Sequence, residues 1–302
     1  MAPSLRKNSA GSSMRPGLAC EVTPEGVLAA RQSTGQEPVM AFTSLPSGAL
    51  QPGLASPNLL DKDAVIAALR RSLDEVAARE KILTLIIPDA AVRVLLLDFD
   101  SLPQKPPDAM PIVRFRLRKL APFDVETAAV SYQIMRQDRE QTRALVTVMP
   151  GTTRSEYEDA VRAAGYEPGV LVSSMLASLA ALRSDQAALT INRSGLSLTT
   201  AITHGDELLL HRTLELPVEG AAQRDELAQA VSVASAYFED TMSTAPTALY
   251  YAGPGGADEF TAALGAEIDG LRVRDLAPTS QTGAVTAIPK GLAAGVTGAL
   301  AV

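Results

Sequence analysis

The chain has no tryptophan, one cysteine, two histidines and only 4% aromatic residues in a length of 302. A single cysteine, Cys20, excludes an intramolecular disulfide and a cysteine-based zinc cage. It reads as a small buried hydrophobe and suits a reducing compartment. The histidines, His204 and His211, flank a hairpin with no cysteine or carboxylate cluster beside them, which is poor spacing for a metal pair. Few aromatics leave no stacking platform for single-stranded nucleic acid. The net charge of −7 argues against a polyanion as the main partner. Long hydrophobic runs are missing too: residues 170–182 and 291–302 both fall short of the roughly 20 residues a membrane span needs. Residues 1–15 are rich in Ser, Ala and Gly, carry Arg6, Lys7 and Arg15, and contain no apolar stretch, so they read as a tail and not a secretion signal. These features predict a soluble cytoplasmic chain that meets a membrane only through a partner. The sequence also has neither a Gly-x-Ser-x-Gly elbow nor a phosphate-binding P-loop.

What is present is globular: 46% apolar and 20% charged residues, with enough chain for one large or two medium domains. Residues 187–214 predict three strands, with Leu189, Ile191, Leu196 and Leu198 on one face and Thr190, Ser197 and Thr199 on the other. Their turns are Asn192-Arg193-Ser194-Gly195 and His204-Gly205-Asp206. A helix over 224–242 follows, with Leu227, Val231, Ala234 and Phe238 at helical spacing. Then come a strand (248–252), a glycine turn (Gly253-Pro254-Gly255-Gly256), a helix (258–264), a strand (271–273) and a closing helix (292–300). The first half starts with strands over 18–31 and 39–45 around the turn Thr23–Gly26. A helix at 61–79 and strands at 82–87 and 92–99 follow. Next are a basic helix at 106–120, strands at 129–135 and 145–149, a helix at 153–164, and a strand and helix within 169–183. Ser173-Ser174 reads as the cap of that last helix. Both halves run hairpin, helix, strand, which predicts two related α/β lobes with a ligand cleft between them.

Several strings carry a family resemblance: LRKLAPFD (117–124), the meander ALTINRSGLSLTTAITHGDELLLHRTL, ASAYFED (234–240) and LYYAGPGG (249–256). In these, and in the order of elements, residues 18–300 resemble the PilM family of type IV pilus assembly proteins and the related cytoplasmic domain of the type II secretion L protein. The resemblance implies an α/β, two-lobed actin-like ATPase (ribonuclease H-like) fold. It divides the chain into a tail (1–16), a first lobe (17–183) with an inserted small subdomain at about 101–150, and a second lobe (184–302). It implies a scaffold at the inner membrane that binds the cytoplasmic tail of a PilN-like membrane protein, with an assembly ATPase as a further candidate partner.

The resemblance also locates a candidate nucleotide site. Actin-like sites hold phosphates on two hairpin turns, position Mg²⁺ with carboxylates, and admit adenosine at a glycine turn. The corresponding positions here are Glu21 in the first hairpin, Asn192, Arg193, Ser194 and Gly195 in the second, and Gly253, Gly255 and Gly256. Glu21 replaces the usual aspartate, Pro24 removes one N–H donor, and the neutral Asn192 replaces the second aspartate. ATP with Mg²⁺ and an empty vestigial cleft both remain open, and hydrolysis lacks its metal-side charges. An active ATPase is one alternative. A dinucleotide-dependent enzyme is another, because strand, Gly-x-Gly, helix and a strand ending at Asp275 imitate part of that fingerprint. The basic helix offers a partner surface: Arg114, Leu117, Arg118, Lys119 and Phe123 are expected to border the first-lobe cleft, in competition with a solvated face or with strand addition at a sheet edge.

Overall fold

Thr23 closes the first hairpin through its hydroxyl, which donates to Gly26 O at 3.1 Å and accepts from Gly26 N at 3.3 Å. This turn starts a chain that a computed structural model describes at residues 16–33, 35–182, 186–218, 220–265, 270–278 and 283–301. In chain order the strands are β1 (Leu18–Thr23), β2 (Gly26–Arg31), β3 (Val39–Ser44), β4 (Ile82–Ile87), β5 (Arg93–Phe99), β6 (Ala129–Gln137), β7 (Thr142–Met149), β8 (Glu167–Ser173), β9 (Ala187–Ser194), β10 (Ser197–His204), β11 (Glu207–Glu215), β12 (Ala248–Ala252) and β13 (Arg272–Asp275). The helices are α1 (Lys62–Val76), α2 (Pro106–Leu117), α3 (Gly151–Ala163), α4 (Ser174–Leu179), α5 (Ala221–Met242), α6 (Gly256–Leu264) and α7 (Ala294–Leu300), with a 3-10 turn at Asp89–Ala91.

The predicted symmetry is real. One five-stranded sheet has the order β3-β2-β1-β4-β8 and a second has the order β11-β10-β9-β12-β13. In each, an antiparallel meander is extended by two parallel strands reached through helices. Helix α1 starts where the Asp61 carboxylate accepts Ala64 N–H at 3.0 Å, and it buries Val65, Leu69, Leu73 and Val76 against the first sheet. Helix α5 buries Leu227, Val231, Ala234 and Phe238 against the second, the stripe the spacing predicted. Cys20 is fully buried in the first core, as expected.

Four expectations need correction. The inserted subdomain begins at Arg93, because β5 pairs with β7 in a separate sheet of order β5-β7-β6 and not with the main sheet. Strands β9 and β10 of the meander are not half-buried, while β11 stays partly exposed: Thr190 and Thr199 are as inaccessible as Leu189 and Ile191, with α5 and α4 both packed on β9. Leu196 sits in the two-residue turn Gly195-Leu196, exposed. The closing segment does not stay with the second lobe. Met40 N–H donates to Gly283 O, Val285 N–H donates to Met40 O, and α7 packs on α4 and on the first sheet through Val296 and Ala299. Residues 1–15 of the expected tail and the expected lobe boundary at 183/184 lie outside the described residues. Among the described residues, no helix is long and apolar enough to cross a membrane.

Phe238→Ala should destabilise the chain by about 3–5 kcal/mol, since it leaves a cavity in a closed core. Val233→Ala, on the exposed side of the same helix, should cost less than about 0.5 kcal/mol. Denaturant titration of both variants checks this pair.

Candidate functional site

The two hairpins that an actin-like site would turn toward phosphate instead hold each other. The first supplies Pro24 and Glu25, and the second supplies Gly195 with φ +56°. Gly195 N–H donates to Glu25 Oε1 at 2.9 Å. A Cβ on Gly195 would lie 2.9 Å from Pro24 Cγ, so only glycine permits this approach. A carboxylate of one lobe therefore occupies a backbone N–H of the other lobe's turn, the type of donor an anionic ligand would need.

Beneath this clasp lies a buried polar chain. Ser174 Oγ donates to Glu21 Oε1 at 2.5 Å. Asn192 Nδ2 donates to Asp89 Oδ2 at 2.8 Å and to Ser174 Oγ at 2.9 Å. Met175 N–H donates to Asp89 Oδ1 at 3.0 Å. Asp89, and neither Ser173 nor Ser174, thus satisfies the start of α4, and Ser174 is spent on Glu21 instead. Burial, with smaller contributions from Asp89 and Glu25, pushes the Glu21 carboxyl up to about 8 against the lowering effect of Ser174. Glu21 is therefore neutral at pH 7. Its Oε2 has no hydrogen-bond partner and faces α7, where a Cβ on Gly295 would lie 2.2 Å away.

The glycine turn is equally occupied. Gly253 N–H donates to Gly291 O at 2.9 Å, and a Cβ on Gly253 would come within 2.8 Å of Arg193 O. Gly255 (φ +79°) and Gly256 (φ +68°) take the left-handed conformation that leads into α6. The first turn of α6 is capped by Asp275 Oδ1, which accepts Ala257 N–H at 2.7 Å. Asp275 is thereby taken from the ribose-binding role that a dinucleotide fingerprint would give it. The sheet also ends at β13, so the dinucleotide reading has neither its acid nor its further strands among the described residues. Arg193 lines the crevice and reaches Gln223 Oε1 on α5 at 3.5 Å.

The space left between Glu21, Ser174, Asn192, Gly253, Gly291 and Gly295 is about 10 Å³. That holds roughly one water, whereas small-molecule sites run from about 300 Å³ upward. Mg²⁺ needs ionised or carbonyl oxygens in octahedral array. Here one acidic position is the amide Asn192, Glu21 Oε1 accepts from Ser174, and Asp89 already accepts from Asn192 and Met175. Among the described residues no group of three or more His, Cys, Asp or Glu side chains is placed to hold a metal. His211 is half-buried with its pKa lowered by desolvation, and it stands apart from the exposed His204. ATP with Mg²⁺ does not fit this conformation. A cleft of 510 Å³ opens on the other side of the clasp, but it sets a single cation, Arg93, against Asp89 and Glu215, a poor charge balance for a triphosphate.

A second feature was not legible in the sequence. A groove of 430 Å³ runs between the first sheet (Ile87, Leu171, Ser173) and the inserted sheet (Ser131, Gln133, Thr147), with Arg154 and Glu158 of α3 at its rim. Strands β6 and β8, each the last strand of its sheet, both contribute to its walls. Edge position depends on strand order, for which no local residue pattern stands.

The expected partner residues lie elsewhere. Helix α2 covers the opposite face of the inserted sheet: Leu117 is fully buried there with Val113, Val146 and Val148, and Phe123 is half-buried against the same core. Arg114 donates to Val125 O and to Ala128 O, which ties down the loop after the helix. Arg118 pairs with Glu126 at 2.6 Å, and Lys119 is exposed. None of the five lines the groove.

Two measurements test the crevice. Between pH about 4.5 and about 8 the native state holds a proton on Glu21 that the unfolded chain releases, so stability should fall as pH rises through that window and level off above it. Glu21→Gln, which keeps the Ser174 bond, should remove most of this slope and raise stability at pH 8; denaturant titrations across pH read it. Glu25→Ala should cost about 1–3 kcal/mol, and amide exchange at Gly195 should speed up in step.

No protein-family model matches the sequence, and a search of curated proteins finds no relative. Solved structures do match. PilM, from the PilM-PilN type IV pilus biogenesis complex, superposes with a TM-score of 0.71 at 18% identity, covering 94% of this chain and 97% of that one. The cytoplasmic domain of EpsL, an inner membrane component of the type II secretion system of Vibrio cholerae, gives 0.51 at 13% identity over 94% and 92%. A Bacteroides thetaiotaomicron protein with an actin-like ATPase fold gives 0.51 at 10% identity over 85% and 89%. The paired five-stranded sheets, the inserted three-stranded subdomain and these superpositions together establish that this chain has the actin-like ATPase fold, in the arrangement that PilM has.

Proposed function

We propose that the protein is an actin-fold scaffold of a type IV pilus or type II secretion inner-membrane complex. Its groove between β6 and β8 receives the cytoplasmic segment of a PilN-like membrane protein. The observation that carries this reading is the groove itself. Two unpaired strand edges flank one apolar-floored channel, which suits an extended peptide adding main-chain hydrogen bonds to a sheet edge and side chains to alternate pockets. The likeness to PilM, a protein solved with PilN, and to the EpsL domain favours a partner of that kind. On this reading the crevice between the lobes is a structural joint and not a nucleotide switch, since its donors and carboxylates are bonded to each other.

Titration with a synthetic peptide of the partner's cytoplasmic N-terminal segment should give roughly micromolar affinity or weaker. Thr147→Arg and Leu171→Glu, both within the groove, should each weaken it about tenfold, while Arg118→Glu/Lys119→Glu on the far face should leave it unchanged. The opposite pattern would move the partner site to α2. Calorimetric titration with ATP and Mg²⁺ should show no saturable heat. Saturation accompanied by phosphate release would instead support an active ATPase and would refute the closed joint.

A further inference from the structure

The outer side of α2 carries residues that neither the core nor the groove uses. Ile112, Phe115 and Leu120 are 40%, 65% and 43% exposed. Arg116 and Lys119 fall between them at three- and four-residue steps, hence on the same face. Ala121 N–H donates to Leu117 O at 2.9 Å, which carries helical geometry past Leu117 and brings Leu120 onto that face. The inward side of the helix, Ala109, Val113 and Leu117, is fully used by the inserted sheet.

The charge here runs against the rest of the chain. Residues 101–150 hold eight Lys/Arg and five Asp/Glu in a protein of net charge −7. Arg114 and Arg118 are committed to the Val125 and Ala128 carbonyls and to Glu126. Arg116 and Lys119 have no ion-pair partner among the described residues. Arg116 and Lys119 thus sit, with the exposed Asp108 one turn before Ile112, among three large exposed hydrophobic side chains on the outer layer of the subdomain.

We propose that this face of α2 lies on an anionic bilayer surface, with Arg116 and Lys119 at the level of the lipid phosphates and Ile112 and Phe115 in the acyl boundary. On such a surface the exposed aliphatic and aromatic side chains would lose apolar area to the acyl boundary while the cations beside them meet the lipid phosphates. The surface is the outside of a helix and therefore convex. A bilayer conforms to such a face and covers Phe115 on all sides, whereas an acidic peptide laid along it would leave part of that ring wet. The face is separate from the groove, so this inference stands or falls independently of the proposed partner. It adds direct membrane contact to the expected contact through another protein.

The test is sedimentation of the full chain with vesicles of phosphatidylcholine alone or mixed with phosphatidylglycerol, at low and high salt. Binding to the anionic vesicles only, weakened by salt, is expected. Ile112→Ser/Phe115→Ser and, separately, Arg116→Glu/Lys119→Glu should each reduce it about tenfold or more. Because these side chains are exposed, both double variants should keep the parent's melting temperature, which separates lost docking from lost folding. Equal binding to both vesicle types, no binding to either, or binding undiminished in the two variants would overturn the proposal. So would binding of soluble poly-glutamate as tightly as the vesicles and without dependence on Phe115, because the face would then belong to an acidic protein.

Discussion

The rest of this structure depends on a set of carboxyl groups that bridge the two lobes. Glu25 takes a backbone N–H of the second-lobe hairpin, and Asp89 holds Asn192 and the start of α4 together. Glu21 is joined to Ser174 under the roof formed by α7. All three acids come from the first lobe: Glu25 and Asp89 hold atoms of the second lobe directly, while Glu21 holds Ser174 of α4, whose hydroxyl in turn accepts from Asn192. A polar network of this kind is costly to leave half-made in a low-dielectric interior, so its members tend to form or break together. The lobes are coupled through directed bonds instead of through apolar contact alone, and that specifies their relative position.

The same bonds account for the missing ligand space. An actin-like cleft works as a switch when a nucleotide stabilises one lobe arrangement over another, which requires unequal affinity for the two states. Here the closed arrangement supplies its own anion to the hairpin and its own acid to α6, through Glu25 and Asp275. Burial first, and the neighbouring Asp89 and Glu25 second, raise the Glu21 pKa and so favour its protonated form in this closed joint. Two glycines, Gly291 and Gly295, let the returning chain come close enough to fill what remains. Of the positions that the family resemblance assigns to nucleotide handling, Asn192, Gly195 and Gly253 are bonded within the protein, whereas Ser194 Oγ and Glu21 Oε2 have no hydrogen-bond partner.

Both proposed contact surfaces lie on the inserted subdomain. One face of its three-stranded sheet packs on α2 and the other lines the groove, so a single small element presents two surfaces of different chemistry. The groove is apolar-floored and edged by unpaired strands, while the α2 face is basic and convex. A rigid two-lobed body carrying such a module suits a part whose work is to hold other components in place.

The local elements were legible in the sequence: α1 and α5 from helical apolar spacing, β4 from an unbroken apolar run stopped by Pro88, and the β9–β11 meander from alternation and turn residues. So was the doubling of the architecture. These depend on neighbours within a few positions, where backbone geometry sets the pattern. What only the tertiary structure decided was contact between distant segments: the return of 283–301 to the first lobe, the pairing of β5 with β7, the groove between β6 and β8, and the burial of Leu117. It also decided that Glu25, a residue no motif marks, meets Gly195 across 170 positions. A hydrogen bond of that span leaves no periodicity behind, because its two ends are brought together by the folding of everything between them.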